Sequence, residues 1–277
     1  MKDIASNILG KTVVFILAFI WFLITAYPLF FMFVTGFKTN MEFFDSIWSF
    51  PGQLNINNYV KVFETGFHRY YLNSLLVSVL AVLIIIIAGS MASYAISRLK
   101  FCLSKAVFSL FLAGMMIPIH ITLIPIYKMT QSMGLYDNLF GLIGPYVAFN
   151  LPTSIFILTG FMKDIPVEME EAAFIDGANT FQIFTRVIFP LTKPAISTIA
   201  IYNFLMLWNE FVYALILLSS QKNWNLTMGL WNFQGEFGVN IPLIMAALFL
   251  SILPLMILYV FLQENIIKGM MAGAIKG

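Results

Sequence analysis

Cysteine is almost missing from this chain. Cys102 stands alone among 277 residues, which excludes an intrachain disulfide and any cysteine cluster for a metal. Histidine is as scarce: His68 and His120 lie far apart, and no nucleophile–base pair or metal-ligand group emerges from the spacing. Charge is thin as well. Asp, Glu, Lys and Arg make up 10% of the chain and the net charge is +2, which offers no basic face for nucleic acid. No internal repeat is visible.

What is present is apolar. Hydrophobic residues reach 60%, aromatics 16%, and the mean hydropathy is +0.90, values of polytopic membrane proteins. One bilayer crossing needs about 20 mostly apolar residues. Six stretches qualify, at 13–34, 73–96, 106–127, 139–161, 195–218 and 242–262. They predict an all-α, six-span membrane protein built as a single domain over 1–277. The first run is too long for a signal peptide and ends in bulky Phe, Tyr and Pro residues, so it is expected to be retained. Pro118 and Pro125 interrupt the third run, and Pro145 and Pro152 mark the fourth. Prolines are tolerated there when neighbouring helices or water satisfy the freed carbonyls. The segment A-S-N-I-L-G-K-T at 5–12 fits a relaxed phosphate-loop pattern, but a membrane helix follows it and no strand precedes it, so it is a coincidence.

Loop charges set the orientation. Lys2, Lys11, Arg98, Lys100, Lys105, Lys163, Arg186, Lys193, Lys268 and Lys276 fall on one side, ten of the 15 basic residues. Lys38, Lys61, Arg69, Lys128 and Lys222 fall on the other. The ten-residue side is expected to be cytoplasmic, with both termini and the loop 162–194.

That loop is the most polar stretch between two predicted spans. Pro166 suits the first turn of a helix, where its missing N–H costs nothing. Glu168, Glu170 and Glu171 then complement the positive end of the helix dipole. Ala172 and Ala173 are small enough to let another backbone approach. Asp176-Gly177 predicts a turn, with Gly177 free to take a positive φ. Asn179 and Gln182 sit at capping-box spacing for a second helix, made amphipathic by Phe181, Phe184 and Ile188 and expected to stop at Pro190 and Pro194. The acidic cluster has no His or Cys beside it, so helix-end electrostatics account for it and no metal site is assigned.

Glu171-Ala172-Ala173, Asp176-Gly177-Ala178 and Val187-Ile188-Phe189-Pro190 resemble the E-A-A loop of membrane subunits of bacterial ATP-binding-cassette importers, with Val187 and Phe189 as apolar departures. Further stretches narrow the likeness to carbohydrate-importer permeases of the maltose type, with a lean toward multiple-sugar and α-galactoside systems. These are Asn57-Asn58-Tyr59 with Asn73-Ser74-Leu75, Ala92-Ser93-Tyr94-Ala95 with Ser97-Arg98-Leu99, Ile117-Pro118 with Ile124-Pro125, Trp208-Asn209-Glu210-Phe211, and the tail from Lys268 to Gly277. The resemblance implies the type I importer permease fold in a bacterial plasma membrane. It implies that Glu171, Ala172, Ala173, Asp176, Gly177 and Pro190 belong to a coupling helix docking on a separate ATPase. It also implies partners: a second homologous permease, two ATPase copies and an extracellular or periplasmic sugar-binding protein. ATP and Mg2+ would bind the ATPase, with no cofactor on this chain, which is a transport subunit and not an enzyme. The solute would be a mono- or oligosaccharide, with glycerol phosphate or an amino acid as the alternative.

Candidate contacts to solute follow from residue type. Glu210 is the acidic residue inside a predicted span, and mid-membrane placement costs about 3 kcal/mol on insertion scales. It suits either a sugar path or a hydrogen bond to a neighbouring helix. Asn203, Trp208 and Asn209 share that balance, since amides and aromatics serve sugars and helix packing alike. His120, between two prolines, can face a cavity or be satisfied within the bundle. In the external stretch 220–240, Trp231, Phe233, Gly235 and Glu236 suit a membrane interface, while the resemblance implies that this loop reaches the sugar-binding protein. An ion-driven transporter would need repeats and several intramembrane ionisable groups, and Glu210 stands alone.

Overall fold

The computed structural model describes residues 2–274 apart from 100 and 239, with side chains over 10–261 apart from 100, 234 and 239. Residues 275–277, the side chains of the tail motif from Lys268 to Gly277, and those of Lys2 and Lys100 lie outside that description. Among the described residues the chain is helical and contains no strand. It forms two compact units, 1–67 with 230–253 and 68–229 with 254–277.

In the first unit, α1 (Lys2–Thr35) carries a strongly apolar stretch, Gly10–Thr35, whose most apolar 18-residue window is not buried by the rest of the chain. Such a surface requires lipid or another apolar chain. The following segment, outside the predicted spans, is ordered by hydrogen bonds. Thr39 and Glu42 form a reciprocal capping box on α2 (Asn40–Asp45). Lys38 is buried and donates from Nζ to the carbonyls of Ser46, at 3.1 Å, and Ile47, at 2.9 Å. From α3 (Asn57–Glu64), Asn58 donates to the carbonyls of Gly36 and Lys38, and Tyr59 to that of Phe33.

α4 (Phe67–Arg98) is one unbroken apolar helix. The predicted third span is not. α5 (Ser104–Gly114) stops short of Pro118, and a 3-10 turn leads into α6 (Leu123–Ser132) at a bend of 94°. Proline lacks a backbone donor and disfavours helical geometry in the residue before it, which explains the stop. α7 (Ile143–Lys163), entered through a 3-10 turn at Leu139–Leu142, accommodates Pro152 without breaking.

The polar loop folds into α8 (Glu168–Ile175), α9 (Thr180–Ile183), a π-helical turn at Phe184–Ile188 and α10 (Phe189–Leu191). Here the helix does not end at Pro190. That proline occupies the first turn of α10, and Pro194 the first turn of α11 (Lys193–Trp208), where neither removes a needed donor. The predicted fifth span is broken too: α11 ends at Trp208 and α12 (Val212–Leu217) begins after a gap at 209–211. α13 (Leu226–Phe237) replaces most of what reads as an external loop, and α14 (Ile241–Ala274) is again continuous. Long apolar helices therefore number four among the described residues, or five with the bent pair counted as one. Among the described residues the third and fifth predicted spans are each broken into two helices.

Candidate functional site

The polar loop is a packed block. Gly177 takes φ +82°, as the Asp176-Gly177 turn predicts, and Asn179 with Gln182 completes the expected capping box at 2.9 Å in both directions. On its inner side Ala173, Ala178, Val187 and Phe189 pack against a cluster of Tyr94, Met162, Ile165, Ile183, Phe184 and Ile188. Ala173 thus faces the chain's own core, whereas Glu171, Ala172 and Asp176 face outward. Phe174 and Ile175 are 72% and 83% exposed beside them. Pro190 lies on the continuation of the block and is exposed.

One residue outside the loop holds it. Arg98, at the end of α4, donates to the carbonyls of Met162 and Ile165 and stands 3.0 Å from Glu170 Oε1 through Nε. The Nε contact is an ion pair at close range without the alignment of a hydrogen bond. Burial lifts the Glu170 carboxyl above its ordinary range, against the pull of Arg98. The pair therefore contributes geometry more than net stability.

The second polar centre is the break at 209–211. Glu210 Oε1 accepts from the Tyr213 amide at 2.7 Å, and Oε2 from the Ala214 amide at 3.3 Å and the Tyr146 hydroxyl at 2.7 Å. Asn225 Nδ2 and Thr227 Oγ1, at the start of α13, donate to the Glu210 carbonyl. Tyr213 in turn pairs with Thr122 across the bend of the third segment at 2.8 Å. The Glu210 carbonyl and the amides of Tyr213 and Ala214 thus have protein partners, as irregular backbone at membrane depth requires.

The other predicted contacts separate by burial. Asn203 is fully buried and bridges α11 to α7 through Ser154 Oγ at 2.9 Å. Trp208 is buried, stacked on Phe204 and edge-on to Tyr71. Asn209 is exposed, with its amide on the Leu205 carbonyl, and His120 is exposed on the 3-10 turn of the bend. Phe233 is buried against Phe67 and Phe237, whereas Trp231, Gly235 and Glu236 are exposed.

Asp137 went unnoticed in the sequence. It carries φ +54°, and its carboxylate accepts from the amides of Ser219 and Ser220 at 2.9 and 2.8 Å and from the Ser220 hydroxyl. Burial opposes ionisation, but these hydrogen bonds outweigh it and hold the carboxyl down at about 2. Asn73 clamps the same loop from α4 through the carbonyls of Lys222 and Trp224. An acidic residue after Gly134 and Tyr136 reads as an ordinary turn, and no local signal points 82 residues ahead. Among the described residues no group of His, Cys, Asp or Glu is arranged to hold a metal.

Long apolar helices with little of their surface buried, and a broken span held by internal hydrogen bonds, are the marks of a polytopic membrane protein. Residues 81–271 match the family described as binding-protein-dependent transport system inner membrane component, and the chain belongs to it. It is 51% identical over 264 residues to an ABC transporter permease protein, ORF2, of Caldicellulosiruptor sp. (strain Rt8B.4), covering 95% of this chain and 96% of the relative. It is 33% identical to the melibiose/raffinose/stachyose import permease protein MelC of Bacillus subtilis (strain 168), covering 90% and 91%. Its fold matches, with a TM-score of 0.78 over 94% of this chain and 98% of the other at 24% identity, a chain from the crystal structure of a bacterial ABC transporter involved in the import of the acidic polysaccharide alginate.

Proposed function

We propose that this chain forms half of the translocation pathway of an ATP-driven sugar importer, with a second homologous permease forming the other half. The observation that carries the reading is the outer side of α8. Phe174 and Ile175 are largely exposed beside Glu171 and Ala172, on a helix whose inner side is locked into the core. An apolar patch on a rigid polar helix is suited to a groove on a partner protein. That partner would be an ATPase present in two copies, which binds ATP and Mg2+ and moves α8. The loop 162–194 and both termini then face the cytoplasm, in accord with the basic-residue count.

A carbohydrate solute is supported by what the relatives named above are called. Exposed Asn209 and His120 are the contacts proposed for the sugar path, while Asn203, Trp208 and Glu210 shape its wall. Trp231, Gly235 and Glu236 are proposed to meet an external sugar-binding protein. The test is uptake of radiolabelled melibiose and raffinose by vesicles holding the permease pair, the ATPase and the binding protein. ATP-dependent uptake that needs the binding protein is expected. Uptake driven by an ion gradient without ATP would overturn the reading, as would ATP-dependent uptake of an amino acid or glycerol phosphate in place of any carbohydrate.

A further inference from the structure

One guanidinium joins three separate elements in this chain. Arg98 is the last residue of α4, with a side chain only 6% exposed. Its Nη2 donates to the carbonyls of Met162 and Ile165, at and just beyond the C-terminal end of α7. Carbonyls at a helix C-terminus lack partners within the helix and carry the negative end of its dipole, so a cation belongs there. The opposite end of the relation is Glu170, in the first turn of α8, with Oε1 3.0 Å from Arg98 Nε. Each contact has its own rationale; their convergence on one side chain does not follow from any of them.

The surroundings make the convergence rigid. Tyr94, one turn before Arg98, packs its ring on Phe184 with centroids 5.2 Å apart. Ile165 offers its carbonyl to Arg98 and its side chain to the cluster that Ala173 packs against. The covalent link from α7 to α8 is only the short stretch 164–167. Displacement of α8 could be absorbed there by backbone rotation unless something outside the link fixes the angle.

We infer that Arg98 is a positioning residue that fixes α8 to the ends of α4 and α7, so that movement of α8 is delivered to both helices instead of being lost in the connection. The inference rests on the proposed role of α8 as the element moved by an ATPase. Arginine is required because its planar fork spans two carbonyls and a carboxylate, whereas lysine is a single point charge.

The test uses the complete transporter in vesicles, with sugar uptake and ATP hydrolysis measured together. Arg98→Gln is expected to lower the sugar imported per ATP hydrolysed about tenfold, the size of an ordinary coupling between sites, with ATPase still co-purifying. A residue that only stabilised the fold would lower the amount of complex and leave that ratio unchanged; an unchanged ratio overturns the inference. Arg98→Lys should stay closer to Arg98→Gln than to wild type, and full recovery with Lys would overturn the need for the fork. If Arg98→Gln does not assemble, Glu170→Gln decides by the same ratio, since it leaves the guanidinium on its carbonyls. A second measurement does not depend on transport. Spin labels on Met91→Cys in α4 and Glu168→Cys in α8, in a Cys102→Ser background, should give a sharp distance distribution that broadens with Arg98→Gln. An unchanged distribution sinks the positioning role even if uptake proves to be driven otherwise, and absent uptake in wild type with a broadened distribution sinks only the transport reading.

Discussion

The Tyr146 hydroxyl donates to Glu210 Oε2 at 2.7 Å, and that carboxylate, from the residue before the N-cap Phe211, accepts the Tyr213 and Ala214 amides in the first turn of α12. The first amides of any helix lack partners within it, and inside a membrane no water replaces them. Glu210 therefore does for a broken span what Asp does at the start of a soluble helix, while Tyr146 ties the cap to α7. The carboxylate is occupied on both oxygens, so its work is to hold the break.

Charge should then matter less than shape. Glu210→Gln keeps one oxygen acceptor in place of two, and charge-assisted hydrogen bonds are roughly twice as strong as neutral ones, so assembly is expected to survive with uptake lowered by less than about tenfold. Glu210→Ala leaves buried donors unpaired at about 1–3 kcal/mol each and should abolish assembly. Complete loss of uptake in Glu210→Gln, with normal complex and ATPase activity, would mean the negative charge itself is used.

Legibility divides along local and distant causes. The Gly177 turn and the Asn179–Gln182 box depend on residues within three positions of each other, and both could be read from the sequence. The long helices were legible because apolar runs of that length have one physical outcome. The break at 209–211 was not, because Asn209 and Glu210 alone do not interrupt the otherwise apolar run 195–218, and its interruption depends on Tyr146, Asn225 and Thr227 arriving from elsewhere. The side that Ala173 faces was hidden for the same reason. Its neighbours Tyr94 and Met162 are distant in sequence, and an alanine carries no sign of which face it serves. Arg98 was visible as part of a motif, but its partners on α7 and α8 were not.

Asp137 is a latch with a pH signature. Its folded pKa of about 2 lies below the ordinary carboxylate value of about 3.9, so the carboxylate contributes stability above pH ~4 that disappears as the pH falls toward 2. Asp137→Asn removes the charge while keeping a residue that tolerates φ +54°. Amide exchange at Ser219 and Ser220 should accelerate about tenfold in the variant at neutral pH, since a charged-acceptor hydrogen bond contributes about 1.5–3 kcal/mol. Exchange at the wild-type rate would show that the loop is held without the carboxylate.

Gly229 tests packing of the first turn of α13. A Cβ there would stand 2.2 Å from Tyr70 Cδ2, and Tyr70 is itself buried beside Trp224. Gly229→Ala should cost about 1–3 kcal/mol through overpacking. Gly235→Ala on the same helix meets nothing within 4 Å and serves as the control. A thermal midpoint for Gly229→Ala equal to that of Gly235→Ala would show that Tyr70 moves aside freely.

The last prediction separates two ways of disabling α8. Nothing lies within 4 Å of a Cβ built on Gly177, so Gly177→Val acts through the backbone alone, by forcing a β-branched residue toward positive φ at about 1–3 kcal/mol. The turn should shift and tilt α8, carrying Glu171, Ala172, Phe174 and Ile175 away from the surface they are proposed to meet. Ala173→Asp acts from the opposite side. Ala173 packs against the cluster around Met162 and Ile165, so a carboxylate there faces apolar neighbours and is opposed by desolvation. It should loosen α8 from the core, whereas Gly177→Val keeps the core and misdirects the surface. Both variants are expected to insert, because neither position lies in a long apolar helix. Sugar uptake should be lost in both, but the core should be more accessible to proteolysis at 164–178 only in Ala173→Asp. The measurements are uptake, ATPase stoichiometry in the purified complex and limited proteolysis, beside Leu83→Ala on the exposed side of α4. Normal transport with bound ATPase in both variants would remove α8 from the mechanism, and with it the proposal that its motion drives import.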